Sequence, residues 1–336
     1  MKSALFILIA SIFLLLPMEL KAEGPIALRA AQILPANHPS QLALIRMGEL
    51  LKEKSKGEIV LELVDNSGFE GERDLIEAIQ MGELELIVIA TPPLYGFTTD
   101  FLLFDLPYIF PDVKTARTVL DGPIGKRSLK NTMHVGLMGL TYYENGLSHI
   151  SSDTKPILLP EDLKGMRIRT MESRIQMVTF RSLGATAVPL AYHDLIRYLK
   201  KDSIDLQENS VQVMYTSEIY KIQKYYTFTG HFYKPSPMFI SYAVWSRLSE
   251  EHRAIILEAA EESSVYQKEL CDEMNSPSTL AELEKYMILF QHPDLEAWKK
   301  ALEPVHKEFL PEIGANSLKE LSEEVRRIQA SRGDNT

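Results

Sequence analysis

The sequence has little cysteine and tryptophan and lacks the common catalytic motifs. Cys271 is the only cysteine among 336 residues, which excludes an intrachain disulfide. The motifs G-x-S-x-G, H-E-x-x-H, C-x-x-C and G-x-G-x-x-G are absent, and a phosphate-loop match near Gly122 fails at Leu120 and Arg127. The eight histidines show no metal-ligand spacing. These absences predict a protein that is not an enzyme and that needs neither cofactor nor metal.

Positive charge is also scarce. Lys and Arg total 36 against 46 Asp and Glu, a net charge of −10, which argues against nucleic acid as a partner. With 45% hydrophobic and 24% charged residues, the composition is that of an ordinary globular protein long enough for two lobes. Because the overall field repels anions, an acidic ligand would have to be held by local positive groups inside a cleft.

One long apolar run occurs, at the N-terminus. Lys2 is followed by the apolar segment from Ala4 to Met18 and by a small residue, Ala22. This pattern predicts a cleaved signal peptide at 1–22, with an uncleaved anchor as the alternative. Cys271 lies too far away for lipid attachment after the signal, so we expect the mature chain to be free in the periplasm.

Hydrophobic periodicity after the signal predicts alternating strands and helices. The first series is a β-α-β-α-β pattern, and the second contains another αβ unit and a long helix from Ser249 toward Pro277, which kinks there. Alternation of this kind predicts an α/β fold with a largely parallel sheet, which binds ligands beyond the carboxyl ends of its strands. The predicted strands are 26–31, 59–64, 84–90, 167–169, 203–207 and one ending at Val244-Trp245; the predicted helices start at Pro39 and span 74–81, 174–183, 193–200 and 280–287.

Several ordered motifs resemble one family closely. Together they are similar to the DctP-type solute-binding proteins of tripartite ATP-independent periplasmic (TRAP) transporters, and the resemblance covers essentially the whole mature chain. The motifs include Gly71 to Glu77, Asp105 to Phe110, Leu120 to Gly125, Leu163 to Arg169, Leu183 to Ala185 with Val188 to Tyr192, Asp205 to Asn209, Tyr220 to Tyr225 and Thr229 to His231.

The resemblance implies a two-lobed periplasmic binding protein fold with a cleft between the lobes, crossing hinge strands and a long lobe-spanning helix. It implies lobe I at 23–146 plus 236–274 and lobe II at 147–235 plus 275–336. The chain would close on a small organic acid and deliver it to four-helix and twelve-helix membrane subunits. We expect a monomer.

The resemblance also implies a carboxylate clamp. Arg169 would form a two-pronged salt bridge with the ligand, which suits the planar guanidinium. Arg167 lies on the same face of its strand but is expected at the surface. Asn209 would be a second carboxylate ligand, and Tyr192 would pack over the ligand; an Asn helix cap and core packing are the alternative roles.

Four further positions align with the cleft, more loosely. Gln32 and Thr91 come from one lobe, and Ser148 and His149 from the other. Ser148 stands where many members carry another arginine, and Thr91 stands in a stretch that lacks the glutamate of sialic-acid binders. The resemblance therefore disfavours sialic acid and favours a monocarboxylate, unless His149 replaces the missing charge.

Two other functions stay open at this point. A ligand-sensing module for a signalling receptor would share the same fold. A periplasmic enzyme using a cleft histidine, His149 or His193, is the other alternative, although no nucleophile or base motif accompanies either.

Overall fold

The computed structural model describes residues 24–65 and 68–333. The signal peptide expected at 1–22 lies outside these residues. Nine strands form one mixed sheet in the order β2-β1-β3-β8-β4-β7-β5-β6, with β9 paired to β8. The strands are β1 (Ile26–Ala31), β2 (Ile59–Leu63), β3 (Leu86–Val88), β4 (Leu137–Ser152), β5 (Arg167–Thr170), β6 (Thr186–Pro189), β7 (Leu206–Asn209), β8 (Tyr225–Ser241) and β9 (Ile288–Phe290).

Helices cover this sheet. None of them, within the part of the chain that the structure describes, is both long and apolar enough to cross a membrane. The α-helices are α1 (Pro39–Lys54), α2 (Glu72–Met81), α3 (Val113–Asp121), α4 (Pro123–Asn131), α5 (Arg174–Ser182), α6 (Tyr192–Lys200), α7 (Val211–Thr216), α8 (Tyr242–Trp245), α9 (Glu250–Met274), α10 (Pro277–Leu283), α11 (Leu295–Ile313) and α12 (Ala315–Ser331).

The two ends of the sheet are parallel, as the alternating pattern predicts. β1 pairs in parallel with β2 and β3, and β5 pairs in parallel with β6 and β7. The helix predicted from Asp74 begins two residues earlier, at Glu72. The Asp74 carboxylate accepts the backbone N–H groups of Glu70 and Gly71, which places Asp74 in the first turn rather than at its start.

The centre of the sheet is antiparallel. β4 and β8 are 16 and 17 residues long. Besides pairing with each other, β8 pairs with β3 near its carboxyl end, and β4 pairs with β7 near its own carboxyl end. Their mutual pairing is interrupted by register shifts between Glu144 and Leu147 and between Ser148 and Ile150. These are the crossing strands of a two-lobed α/β binding-protein fold, so the expected fold class is confirmed.

The strand predicted to end at Val244 and Trp245 is wrong. β8 ends at Ser241, and these residues form the short helix α8, because the N–H of Tyr242 bonds to the carbonyl of Gly136 and its own carbonyl accepts from Ser246. The pair is apolar because Trp245 is buried in the core between α1, α9 and the sheet.

Other boundaries also differ from the prediction. The long helix α9 begins after Ser249, as predicted, but ends at Met274, and a separate helix begins at Pro277 instead of 280. Proline in a first turn loses no helical hydrogen bond, so it starts a helix well. The strand predicted at 203–207 is β7, which begins only at Leu206 because Asp202 adopts the left-handed conformation (φ 50°) and prolongs the turn after α6.

Candidate functional site

Arg169 lies near the carboxyl end of β5 and is buried, with 3% of its surface exposed. Its Nε and Nη2 donate to the Leu190 carbonyl at 3.0 and 2.7 Å. Burial lowers the pKa of Arg169, while the negative charges of Glu208 and Glu72 oppose that change, and a guanidinium stays charged. Among the residues described, no carboxylate forms an ion pair with it, which is unusual for a buried charge.

Arg167 has the opposite environment. Its side chain is 43% exposed and forms an ion pair of 2.6 Å with Asp205, and its backbone N–H also donates to that carboxylate. The expectation that Arg167 lies at the surface agrees with this placement. Its partner Asp205 anchors the start of β7, so the role of this pair is to hold two parallel strands in register.

A narrow cavity lies beside Arg169, between β5 and the start of α2. The empty space, including the part open to solvent, is about 240 Å³, and Tyr192, Glu72 and Pro93 line it with Arg169. The N–H of His193 donates to the carbonyl of Glu70 at 3.2 Å, which links the start of α6 to the residues before α2.

Gly71 and Ala191 meet at the same contact between the two ends of the sheet. A Cβ atom on Gly71 would lie 3.2 Å from the Cβ of Ala191. The cleft is therefore closed in this structure, and it is closed by backbone and by very small side chains.

Tyr192 lines the Arg169 cavity, whereas Asn209 is not among the residues that line it. Ile168 pairs with Leu206, and side chains alternate along strands, so Arg169 and Asn209 point to the same face of the sheet. Asn209 donates from Nδ2 to Oε1 of Gln207 at 2.6 Å. The Tyr192 hydroxyl bonds to Ser217, and burial raises the pKa of Tyr192, which keeps the phenol neutral.

A second small cavity lies beside the first. Its empty volume, including the part open to solvent, is about 190 Å³, and Ile33 and Glu72 line both cavities. Gln32 lines it and is held by its own contacts, because Nε2 donates to the Leu34 carbonyl and to Gln41, each at 2.7 Å. Asn145 and Ser236 face Gln32 in this cavity.

Glu72 is a site residue that the sequence reasoning missed. It lies in the first turn of α2, lines both cavities and accepts the N–H of Ala90 at 2.8 Å. Burial raises the pKa of Glu72, and the positive charges of Arg169 and Lys234 oppose that rise. The stretch Gly71 to Glu77 was among the family motifs, so the signal was present but was not assigned a role.

A buried charge pair near the cleft was also missed by the sequence reasoning. Lys234 and Glu208 are buried, and Nζ lies 2.5 Å from Oε1. The other carboxylate oxygen of Glu208 lies 3.8 Å from Nε2 of His231. Burial, helped by Lys234, lowers the pKa of His231, so its ring is neutral. The Lys234 charge is thus matched within the protein.

Thr91 and Ser148 lie near the cleft but line neither cavity. The Thr91 hydroxyl donates to Asp105 at 2.5 Å. Ser148 is completely buried opposite Phe232, and its Oγ has no hydrogen-bond partner among residues 24–65 and 68–333.

His149 faces a different space. It lines a larger cavity, about 1620 Å³ of empty volume, with Tyr108, Glu144 and Phe228. It stacks on Phe228 with ring centres 4.5 Å apart and accepts the N–H of Gly230 on Nδ1 at 3.0 Å. Burial lowers the pKa of His149 to about 3, so the ring carries no charge at neutral pH. Among the described residues, none lines both this larger cavity and either of the two cavities near Arg169.

The arrangement of His, Cys, Asp and Glu side chains bears on metal binding. No group of three or more His, Cys, Asp or Glu side chains in the described ranges is arranged to hold a metal ion. Arg169, Asn209 and Tyr192 instead provide hydrogen-bond donors and an aromatic surface, which is the chemistry of anion binding.

Comparison with known proteins places this chain among solute-binding proteins. Residues 30–312 match the family model of bacterial extracellular solute-binding proteins, family 7 (DctP). The chain is 28% identical over 305 residues to a C4-dicarboxylate-binding protein of Bacillus subtilis, covering 90% of this chain and 87% of that one. It is 29% identical over 232 residues to the 2,3-diketo-L-gulonate-binding periplasmic protein of Escherichia coli, covering 69% and 71%.

Solved structures of similar proteins agree with the fold. A TRAP periplasmic solute-binding protein from a Polaromonas species, bound to D-erythronate, is 29% identical with a TM-score of 0.85 and covers 88% of this chain and 98% of its own. The sugar acid binding protein of Advenella mimigardefordensis, in complex with galactonate, is 27% identical with a TM-score of 0.86 and covers 90% and 99%.

Proposed function

The chain belongs to the DctP family of bacterial extracellular solute-binding proteins, and we propose that it captures a small organic acid in the cleft at Arg169 for a TRAP transporter. The observation that carries this proposal is the buried Arg169 guanidinium, whose hydrogen bonds go to a carbonyl and which has no ion pair in the described part of the chain. A buried cation without a partner is costly, and an anionic ligand would supply that partner.

The geometry of Arg169 suits a carboxylate. Leu190 accepts from Nε and Nη2, which leaves N–H groups on Nη1 and Nη2 for a ligand. Two parallel hydrogen bonds from that edge would fix the carboxylate plane, and each charged bond contributes about 1.5–3 kcal/mol. Asn209 would donate a further hydrogen bond, and Tyr192 would cover the bound group.

We propose that the acid has one carboxylate. Among the described residues, Arg169 is the cation that lines the first cavity, and no Lys or Arg lines the second. The Lys234 charge is matched by Glu208, and His149 is neutral and faces another cavity. A second carboxylate would instead meet Glu72. D-erythronate and galactonate, bound by two similar proteins, are monocarboxylates, whereas the C4-dicarboxylate relative indicates the alternative that binding measurements must decide.

Capture would proceed by closure of the two lobes. The ligand shifts the population toward the closed form only by binding that form more tightly. Contacts of the ligand with Arg169 on one side of the cleft, and with Glu72 and Gln32 on the other, would provide that difference. We propose the boundaries 23–146 plus 236–274 and 147–235 plus 275–336 for the lobes, export to the periplasm as a monomer, and delivery of the unaltered acid to the four-helix and twelve-helix membrane subunits.

Removing the guanidinium tests the proposal. We expect Arg169→Ala to lose measurable binding of organic acids in isothermal titration calorimetry, with an unchanged circular dichroism spectrum. Arg167→Ala is the matched control, because it removes an arginine from the same strand outside the cleft, and it should bind as the wild type does. Equal affinity in Arg169→Ala and wild type would refute the site. Native mass spectrometry of the purified protein would identify an acid retained from the cell.

A further inference from the structure

We infer that the second cleft cavity binds a hydroxyl group at the end of the ligand remote from its carboxylate. This inference rests on the proposed function and narrows the acid to a hydroxylated monocarboxylate. It assigns a specificity role to Ser40, Asn145 and Ser236, which the sequence did not single out.

Three buried polar atoms that line this cavity have no hydrogen-bond partner within the described residues. They are Oγ of Ser40, Oδ1 of Asn145 and Oγ of Ser236, in residues 1%, 8% and 2% exposed. Nearly all buried polar groups in proteins are hydrogen-bonded, so each exception needs an explanation. These three come from α1, β4 and β8 and converge on one small space, which points to a shared ligand.

The chemistry of the three groups selects a hydroxyl. Each serine can donate and accept, and the amide oxygen accepts. A ligand hydroxyl would donate to Asn145 and accept from a serine. A methyl group would leave all three atoms unpaired, and a carboxylate would face the Asn145 oxygen and the carboxyl group of Glu72, which lines the same cavity.

One ligand can reach both sites. The Arg169 cavity and this cavity are neighbours, because Ile33 and Glu72 line both. A carboxylate on Arg169 therefore directs the rest of a short chain past Glu72 toward the three polar atoms. Glu72 can itself accept a hydrogen bond from a hydroxyl along that chain, so a chain with several hydroxyl groups fits best.

Calorimetry with matched ligands tests this assignment. The probes are four- and six-carbon aldonates, the same acids without their terminal hydroxyl, and succinate, each titrated into the full-length mature protein. We expect aldonates to bind more tightly than the deoxygenated acids and than succinate. Ser40→Ala and Ser236→Ala should each weaken the aldonate about five- to tenfold, the range for one hydrogen bond, and leave the deoxygenated acid unchanged.

Thr179→Val provides the control. Thr179 also has a buried hydroxyl without a partner in the described residues, but it lies in α5 and lines neither cavity, so aldonate affinity should not change. Equal weakening of both acids by the serine variants would show that the serines act through the fold and would overturn the inference. Unchanged aldonate affinity would assign the three atoms to water and also overturn it, whereas loss of binding in Arg169→Ala would still support the proposed function. Wild-type protein that binds no acid would refute both.

Discussion

The arginines at the two ends of β5 have opposite environments. At the outer end, Arg167 is half-exposed and forms an ion pair with Asp205. At the inner end, Arg169 is buried and donates to a backbone carbonyl, and the negative charges of Glu208 and Glu72 act on it. The outer arginine is satisfied by the fold itself. The inner one is held in place but has no ion pair within the described residues, and this difference supports the proposed binding role of Arg169.

The largest expected effect is on stability, and it compares the buried Lys234–Glu208 pair with the exposed pair of Arg167. Lys234→Met would leave Glu208 buried without its cation and should lower the free energy of unfolding by about 3–5 kcal/mol, whereas Arg167→Met at the exposed pair should lower it far less. Urea unfolding followed by circular dichroism measures both. Adding Glu208→Gln to Lys234→Met should restore much of the lost stability. Equal losses in Lys234→Met and Arg167→Met would contradict this comparison of a buried with an exposed ion pair.

Exchanging guanidinium for ammonium sharpens the comparison for binding. Arg169→Lys keeps the charge but loses the planar fork, so the affinity for an organic acid should fall about 10- to 100-fold. Arg167→Lys should change affinity by less than about twofold, because that side chain lies outside the cleft. Calorimetric titration distinguishes the two, and a tolerated lysine at position 169 would mean that charge alone, not geometry, holds the ligand.

The pH dependence of affinity gives a smaller effect. Burial raises the pKa of Glu72, and an ionised Glu72 beside an incoming carboxylate opposes binding. As pH falls, Glu72, with its raised pKa, gains a proton before the ligand carboxylate does, so affinity should rise, and Glu72→Gln should flatten the profile. Asp105, whose pKa burial raises to about 7, can leave some dependence in the variant. An unchanged profile in Glu72→Gln would remove Glu72 from the ligand's surroundings.

Buried histidines produce the smallest effect, on stability. Burial lowers the pKa of His149 to about 3, so between pH 3 and 6.5 the unfolded chain binds a proton that the folded chain does not. Stability at this residue is therefore complete above pH 6.5 and declines as pH falls, by about 1.4 kcal/mol at pH 5.5. Comparing the melting temperatures of wild type and His149→Gln at pH 5.5 and 7.5 tests this. Parallel changes in the two proteins would contradict it.

The sequence singled out the residues of the proposed clamp more readily than those of the second cavity. Arg169, Asn209 and Tyr192 lie in contiguous motifs at the ends of short strands, where alternation and the family pattern both apply. Glu72, Asn145 and Ser236 come from three distant elements, and nothing in the sequence indicates that they converge. Only the packing of the two ends of the sheet brings them together.

The centre of the sheet was hidden for a different reason. β4 and β8 contain Gly146, Gly230, Pro235 and Pro237, residues that interrupt an ordinary strand pattern. The same interruptions shift the register between them, so a count by alternation fails there. The sequence grouped His149 with the cleft residues, and the structure places its side chain against the larger cavity.

The contact between Gly71 and Ala191 sets how far the cleft can shut. Gly71 has an extended backbone (φ −161°), which any residue can adopt, so the position accepts a larger side chain without backbone strain. Valine there would act as a wedge, with the clamp residues intact but unable to meet. Small-angle scattering should then give the same radius of gyration with and without ligand. Such a variant would uncouple recognition from shape change, and it could reveal which of the two a membrane partner senses.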